Sequence, residues 1–324
     1  MTWLRKFGMT LAWLAGLTTV ALLIALWAYR DLPAAEAEAK YVNEASRFMH
    51  IDGARIHYRD EGSGPPILLL HANFSNLLGW DPWVEVLQKN HRVVRFDFTA
   101  FGLTGPDPGG DYSNARTLAL TEKFIEAVQL KRFAIAGTSL GGGIAIRYAA
   151  KHPERIESMI LLNPGVLEGR AMAQAGTTVP RAANVLEYIT PRALPRYMLR
   201  SRAGDPSRIT EEHIDRWYDG WLREGNRAAI LARLRAYSSA DVVDMIAAVR
   251  VPVLVLWGEA NPQTPIEQAG ELMAMLKAAP TKRLITYPGV GHPALEEAGS
   301  LIAADVAAWL NGTLPPQASA PVTE

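Results

Sequence analysis

The stretch Phe133-Ala134-Ile135-Ala136-Gly137-Thr138-Ser139-Leu140-Gly141 decides the fold of this chain. An apolar run typical of a buried strand leads into a Gly-x-Ser-x-Gly pattern, and residues 142–150 continue as a helix-like segment. A serine between two glycines at a strand-to-helix turn is held in unusual backbone angles that expose its hydroxyl. The helix that begins there directs free N–H groups at a developing negative charge. The pattern therefore predicts that Ser139 is a nucleophile; the alternative is a structural turn in which the serine only caps the helix.

The overall composition is that of an ordinary globular protein. The chain has 324 residues, of which 49% are hydrophobic, and its 33 basic and 33 acidic side chains balance. That balance argues against a nucleic-acid-binding protein, since such proteins usually carry a basic excess. The absence of cysteine excludes disulfides, thiolate metal sites and cysteine nucleophiles. Nothing in the sequence implies a metal or an organic cofactor.

An uncharged apolar segment lies close to the N-terminus. Residues 7–29 contain no charged side chain, and this length suits a membrane-spanning helix. Arg5 and Lys6 precede the segment, and no positive excess follows it. The positive-inside rule then places the N-terminus in the cytoplasm and the main domain on the non-cytoplasmic side, periplasmic or extracellular. We expect residues 1–30 to be a single membrane anchor; the alternative is a signal peptide cleaved near Ala35-Glu36-Ala37.

Apolar runs and helical patterns alternate along most of the chain. An Asp52-Gly53 turn between two strand-like runs predicts a hairpin. Short continuous apolar runs, typical of strands buried on both faces of a parallel sheet, recur downstream. They lie at Ile67–Leu70, Arg92–Phe96, Phe133–Ala136, Met159–Leu162, Val253–Trp257 and Arg283–Thr286. Because helical patterns separate most of them, the sequence predicts an α/β fold whose mostly parallel central sheet is flanked by helices.

Residues 165–248 interrupt this alternation, since they contain helical patterns and no convincing strand. Thr210 is placed to cap a helix that has Glu211 and Glu212 in its first turn. We interpret the interval as a helical insertion, or cap, that lies over the end of the sheet. The predicted organisation is then an anchor at 1–30, a linker at 31–46, a core formed by 47–164 and 249–312, the cap at 165–248 and a disordered tail at 313–324.

A nucleophilic serine needs a base, and His292 stands where one is expected. Gly291-His292-Pro293 follows the last predicted strand. Serine sites built on a strand–turn–helix elbow place the base in that loop, with the orienting acid between the serine and the base in chain order. A surface-loop histidine is the alternative interpretation.

Taken together, these segments resemble the α/β-hydrolase family from about Phe48 to Leu310. The segments that carry the resemblance are the strand before the oxyanion loop at Leu68-Leu69-Leu70-His71, the Asp-rich turn at Asp97-Phe98-Thr99-Ala100-Phe101-Gly102-Leu103-Thr104-Gly105-Pro106, and the acid and base loops at Trp257-Gly258-Glu259-Ala260 and Gly291-His292. The resemblance implies a serine hydrolase with a helical cap domain.

The resemblance also assigns the oxyanion donors to the backbone N–H groups of Asn73 and Leu140. Ala72 stands where the family usually has glycine, which is tolerated if its φ stays negative.

The sequence departs from the family at the orienting acid. The usual position holds Asn261, and the other position that some members use, after the Met159–Leu162 strand, holds Asn163. An asparagine can accept a hydrogen bond from the imidazole, but it supplies no negative charge, and its NH₂ group would select the wrong tautomer. In a Ser-His-Asp protease, replacing the acid by asparagine costs about 10⁴ in kcat. We expect Asn261 to orient His292, with Glu259 as the alternative.

Three functions fit these residues. The first is a membrane-anchored serine hydrolase that cleaves a carboxylic ester, lactone or thioester of a mid-sized apolar small molecule, because the cap contributes many large apolar groups. The second uses the same residues to cleave an activated C–C bond. The third is a binding or sensor protein that kept the pocket and lost efficient turnover, which the missing carboxylate at Asn261 suggests. The first is our working expectation, since a site that had lost its catalytic activity would not be expected to keep both Ser139 and His292.

Overall fold

The computed structural model describes residues 2–167, 179–238 and 242–314. Within them, eight strands form one sheet: β1 Ser46–Ile51, β2 Ala54–Glu61, β3 Pro66–Leu70, β4 Arg92–Phe96, β5 Phe133–Thr138, β6 Ile156–Leu162, β7 Val253–Gly258 and β8 Lys282–Tyr287. Their order is β1-β2-β4-β3-β5-β6-β7-β8. The two pairs that involve β2 are antiparallel, and the other neighbouring pairs are parallel. The predicted α/β class with a mostly parallel sheet is confirmed, as is the hairpin between β1 and β2.

The strand order places the ends of β3 and β5 side by side. From β3 the sheet extends through β4 in one direction and through β5 to β8 in the other. At such a switch point the loops after two adjacent parallel strands diverge and leave a crevice. The loop after β3 carries Asn73, and the turn after β5 carries Ser139. The topology therefore brings these two predicted site residues to the same edge of the sheet.

Helices cover both faces of the sheet. In chain order they are α1 Thr2–Ala28, α2 Ala34–Tyr41, α3 Asp81–Leu87, α4 Asn114–Ala127, α5 Leu140–Lys151, α6 Ala193–Arg200, α7 Glu211–Leu222, α8 Asn226–Ala236, α9 Val242–Ile246, α10 Glu267–Met275 and α11 Ala294–Leu310. Side chains of α3 and α11 pack together on one face, and those of α4, α5 and α10 pack on the other. This two-sided cover explains why the central strands are continuous apolar runs.

The interval between β6 and β7 is helical, as predicted. Helices α6 to α9 occupy its described part, and no strand is found in 179–238 or 242–248. The Thr210 side chain accepts a hydrogen bond from the His213 backbone N–H and caps α7, as the sequence indicated. Trp217 and Trp221 lie on the buried face of that helix.

A buried arginine attaches this cap to the core. Arg233 on α8 is only 1% exposed. It donates hydrogen bonds to the Thr99 carbonyl at 3.1 Å and to Thr117 Oγ1 at 3.0 Å. Its guanidinium also lies 5.4 Å from the centre of the Phe101 ring. Burial lowers the pKa of Arg233 to about 10, so the group keeps its charge at neutral pH. Helix α8 is therefore held over the turn that follows β4.

Residues 31–46, which the sequence suggested as a linker, contain α2 and are fastened to the cap. The Leu32 backbone N–H donates to the Leu222 carbonyl at 2.7 Å. The Tyr41 hydroxyl donates to Asp219 Oδ2 at 2.6 Å, and burial together with this carboxylate raises the pKa of Tyr41. These partners are far apart in the chain, so the apolar pattern of the sequence gave no sign of them.

Helix α1 is the described helix that is long and apolar enough to cross a membrane. The qualifying stretch is Arg5–Ala25, which is 21 residues long, and none of it is buried against the rest of the chain. A signal sequence passes the same test, so the anchor stays a prediction. The domain boundaries also stay predictions, and the predicted disordered tail lies, beyond Leu314, outside the described residues.

Candidate active site

Ser139 sits in a strained turn between β5 and α5. Its φ is +49° and its ψ is −113°, a conformation that non-glycine residues rarely adopt. Two backbone N–H groups, those of Gly143 and Gly165, donate to the Ser139 carbonyl at 3.3 Å and hold the turn in place. The strained turn predicted from the sequence is confirmed. Such strain is kept where the surrounding structure fixes it, which is common at functional sites.

Backbone packing explains the two glycines that flank this turn. A Cβ at Gly137 would lie 2.2 Å from the Gly141 carbonyl oxygen. A Cβ at Gly141 would lie 2.0 Å from the Leu70 carbonyl oxygen. Both distances are far below van der Waals contact, so neither position accepts a side chain. The two glycines are therefore required because the start of α5 lies against the end of its own strand, β5, at Gly137 and against the end of β3 at Gly141.

A cavity of about 560 Å³ lies above Ser139, between the sheet and the cap. Much of its wall is apolar and comes from the cap and the loop after β3: Phe74, Met198, Leu199, Trp217, Leu234 and Tyr237. Ser139 and His292 both border this cavity. Among the described residues, no hydrogen bond joins the Ser139 hydroxyl to His292, as is common in unliganded sites. The volume suits a small organic molecule.

The loop that carries His292 is fixed by three separate parts of the chain. The Asn163 side-chain NH₂ donates to the Gly291 and His292 carbonyls at 3.0 and 3.2 Å. Glu297 Oε1 accepts from the Gly291 backbone N–H at 2.9 Å. From the cap, the Arg202 carbonyl accepts from the His292 backbone N–H at 2.8 Å. Asn163 thus serves to position the base loop rather than to replace the acid.

Asn261 lies beside the imidazole, as predicted, but its amide faces the ring with the nitrogen. Its Oδ1 accepts hydrogen bonds from the backbone N–H groups of Gln263 and Thr264 at 2.9 and 3.0 Å. Its Nδ2 lies 3.1 Å from His292 Nδ1. Because an NH₂ group only donates, Nδ1 of His292 accepts and the ring proton stands on Nε2. Of the two contacts that the sequence left open for this amide, acceptance through its oxygen and donation through its nitrogen, the structure has the second.

The environment of His292 also disfavours its charged form. Burial, and then the positive charge of Arg202, lower the pKa of His292 to about 3. The imidazole is therefore neutral at physiological pH. Proton transfer from Ser139 would create an imidazolium, and no carboxylate of the described residues is bonded to Nδ1 to stabilise it.

Glu259 does not take the place of the missing acid. Its Oε1 accepts a hydrogen bond from Thr286 Oγ1 at 2.6 Å, and the side chain is exposed. It lies on the side of the strand away from His292, as its neighbours in the sequence indicated.

Two backbone N–H groups are free to bind an oxyanion. Those of Asn73 and Leu140 donate no hydrogen bond to any described residue. The loop that carries Asn73 is braced by His71, whose Nδ1 donates to the Ala72 carbonyl at 2.7 Å and whose Nε2 accepts from the Phe98 backbone N–H at 2.9 Å. Ala72 keeps a negative φ, so the missing glycine is tolerated. Both N–H groups therefore remain available to donate to an oxyanion, which their predicted role requires.

Two carboxylates at the start of α11 were missed by reasoning from the sequence. Glu297 accepts hydrogen bonds from the Gly291 N–H and, through Oε2, from the Gly204 and Asp205 N–H groups at 2.9 and 3.0 Å. It therefore ties the cap to the base loop. Glu296 instead borders the cavity. The available signal was their position in the first turn of the helix that follows His292 directly.

No group of three or more His, Asp or Glu side chains suited to a metal is found within residues 2–167, 179–238 and 242–314.

Comparison with known proteins identifies what this arrangement resembles. A family model described as the alpha/beta hydrolase fold matches residues 65–299. A 2-hydroxy-6-oxo-6-(2'-aminophenyl)hexa-2,4-dienoic acid hydrolase of Metapseudomonas resinovorans is 23% identical over 74% of this chain and 82% of its own length. A 2-hydroxy-6-oxo-6-phenylhexa-2,4-dienoate hydrolase of Comamonas testosteroni is 24% identical over 73% of this chain and 84% of its own.

A solved structure shares the fold over almost the whole chain. It is a bacterial membrane phospholipase A, which is 20% identical, covers 95% of this chain and 99% of its own, and has a TM-score of 0.69.

The substitution Gly141→Ala tests the packing of the turn. Since the added methyl would meet the Leu70 carbonyl, we expect the free energy of unfolding to fall by about 1–3 kcal/mol or more. Gly270→Ala is the control, because Gly270 lies in α10 with no atom within 4 Å of the added Cβ. That variant should be unchanged or stabilised by up to about 1 kcal/mol. Urea unfolding of the detergent-solubilised chain measures both, and equal effects would contradict the packing argument.

The substitution Asn261→Asp tests the tautomer. A carboxylate at this position keeps the hydrogen bonds from Gln263 and Thr264 and accepts one from His292 Nδ1. We expect the ring proton to move to Nδ1, the pKa of His292 to rise, and labelling of Ser139 by a fluorophosphonate to accelerate by up to about 10⁴. The ¹⁵N shifts of the imidazole report the tautomer, and labelling must disappear when His292→Ala is added. An unchanged rate with a changed tautomer would show that the amide is no handicap.

Proposed function

The chain belongs to the alpha/beta hydrolase fold family, and from that premise we propose that it is a membrane-anchored serine hydrolase of carboxylic esters, lactones or thioesters. In this proposal Ser139 is the nucleophile, His292 moves the proton, Asn261 contacts the ring, and the N–H groups of Asn73 and Leu140 bind the oxyanion. The substrate is a mid-sized, largely apolar small molecule.

One observation carries the proposal. The hydroxyl of Ser139 sits on a strained turn and borders a mostly apolar cavity, near two backbone N–H groups that have no acceptor among the described residues. Donors that are already oriented in a site with little water stabilise a tetrahedral oxyanion at no cost of reorganisation. One such donor is typically worth a factor of about 10²–10³ in kcat.

The reaction begins with attack of Ser139 Oγ on the substrate carbonyl carbon. The Oγ proton passes to His292 Nε2, which is possible only when the ring proton is on Nδ1. The ring must therefore leave the tautomer that the Asn261 amide favours. The leaving group departs with a proton from the imidazolium, and water then releases the acyl group from Ser139. We expect turnover to be slow compared with a site that has a carboxylate.

Hydrolysis of an activated C–C bond is the second candidate. Two curated relatives over about three quarters of this chain carry names of dienoic acid and dienoate hydrolases. Their substrates are carboxylates, and Arg202 places a positive charge on the cavity wall. This candidate uses the same serine and histidine, so the site geometry does not separate it from ester hydrolysis.

The membrane anchor is part of the proposal. Helix α1 has the length and composition of a span, and Arg5 and Lys6 precede the uncharged segment. By the positive-inside rule we place the hydrolase domain on the non-cytoplasmic side. The similarity of fold to a membrane phospholipase A over 95% of the chain adds lipid esters to the substrates worth testing.

A direct comparison of substrates tests the proposal. We expect the chain to release nitrophenol from p-nitrophenyl hexanoate faster than it consumes 2-hydroxy-6-oxo-6-phenylhexa-2,4-dienoate. Consumption of the dienoate is measured by the loss of its absorbance. Ser139→Ala should abolish the faster reaction and fluorophosphonate labelling. Ser75→Ala is the matched control, because Ser75 borders the same cavity and should still allow labelling at Ser139.

The reverse order of rates would favour the C–C hydrolase. If neither the parent nor Asn261→Asp labels or turns over, although both are folded, the chain is a binding protein with an inactive site.

A further inference from the structure

Glu296 is an ionisable group on the cavity wall that the proposed reaction does not use. It lies in the first turn of α11, four residues after His292, and its side chain is half-buried. Trp217 Nε1, from the cap, donates to Glu296 Oε1 at 3.3 Å. Among the described residues no other side-chain donor is bonded to this carboxyl. The residue's own backbone N–H also donates to the carboxyl, and the side chain borders the cavity.

The charges around Glu296 are committed to other partners. Arg216, on α7, donates to the Leu78 carbonyl at 3.2 Å and to Asp81 Oδ2 at 3.3 Å, so it forms no ion pair with Glu296. The neighbouring Glu297 accepts three backbone N–H groups and is occupied by the base loop and the cap. Within the described part of the chain, Glu296 is therefore a carboxyl that forms no ion pair, in a cavity whose wall is largely apolar.

Opposing effects act on the ionisation of this group. The start of a helix favours a negative charge, and the residue's own backbone N–H, Arg216 and the Trp217 donor all lower the pKa of Glu296. Burial outweighs them and raises the pKa of Glu296 to about 7, and the adjacent Glu297 adds to the rise. On the other side of the cavity, His292 has a pKa of about 3 and stays neutral near pH 7, while Arg202 stays charged.

We propose that Glu296 determines which ligands this cavity accepts: it receives a hydrogen bond from a hydroxyl or ammonium group of the ligand and excludes a carboxylate from its end of the cavity. The ligand class is an amphiphile whose alkyl part contacts the apolar wall and whose polar part donates hydrogen bonds. This inference deepens the proposed function and rests on it only in taking the cavity above Ser139 as the ligand site.

The proposal also separates the two candidate reactions. A dienoate carries a carboxylate, which the ionised Glu296 repels and which Arg202 attracts. A neutral or hydroxyl-bearing ester avoids the repulsion. We expect repulsion by Glu296 to outweigh attraction by Arg202. Selectivity for neutral ligands then rises as the pH passes upward through about 7, because the Glu296 carboxyl loses its proton.

Ligand binding without turnover tests this. We would use full-length Ser139→Ala in detergent and measure dissociation constants for 1,2-hexanediol and hexanoate, which share an alkyl chain length, by ligand-observed NMR at pH 6.0 and 8.5. We expect the ratio of the dissociation constant for hexanoate to that for 1,2-hexanediol to rise about tenfold between pH 6.0 and 8.5. A factor of this size is what one unit charge typically produces in a partly buried site. Adding Glu296→Gln should abolish the rise. Adding Glu259→Gln, which removes an exposed carboxyl, should leave it unchanged.

A ratio that rises equally in the Glu296→Gln chain would overturn the proposal, since another group would then titrate. Binding of neither ligand would overturn it as well. Fluorophosphonate labelling of the parent at Ser139 is measured separately. If Ser139 is labelled but Glu296→Gln does not change the ratio, the hydrolase proposal stands and Glu296 has no role in specificity. If the expected ratios are found but Ser139 is not labelled, the cavity is a ligand site and the hydrolase proposal is wrong.

Discussion

The close approach of Gly141 to the Leu70 carbonyl is the constraint on which the site depends. With a Cβ excluded at 2.0 Å, the start of α5 packs on the end of β3 backbone against backbone. This contact brings the Leu140 N–H next to the loop that carries Asn73. The strain at Ser139 follows from the same packing, because the chain must pass from strand to helix within one residue. A strain of about 1–3 kcal/mol is tolerable where a buried sheet over-determines the turn.

The base loop is held by hydrogen bonds that join the core and the cap. Asn163, at the end of β6, fixes the Gly291 and His292 carbonyls, while the cap contributes the Arg202 carbonyl. Glu297 completes the connection by holding N–H groups from both sides. Because one carboxylate bonds to both the cap loop and the base loop, a displacement of the cap also changes the support of His292. The position of the cap loop and that of His292 are thus coupled through Glu297.

Local patterns predicted most of the fold and the approximate place of each site residue. The buried strands are continuous apolar runs, and the turn at Ser139 has strict steric needs, so both were visible in the sequence. Contacts between distant residues were not. The Tyr41–Asp219 hydrogen bond joins positions 178 apart, which is why residues 31–46 read as a linker. The orientation of the Asn261 amide depends on two backbone N–H groups whose direction is set by the folded loop. Glu296 reads as an ordinary residue of a helix start, since its place on the cavity wall depends on the cap.

Negative charge is absent from the side of His292 where a base needs it and present elsewhere in the cavity. A neutral amide donates to Nδ1, burial and Arg202 oppose the imidazolium, and the nearby Glu296 carboxyl lies on the cavity side. In the proposed reaction the oxyanion donors are unaffected by this, so we expect stabilisation of the tetrahedral intermediate to be retained and proton transfer to be impaired. A substrate with a good leaving group needs little help from a protonated imidazole when that group departs. For the proposed reaction we therefore expect the acidity of the leaving group, more than the size of the cavity, to decide which bonds are cleaved.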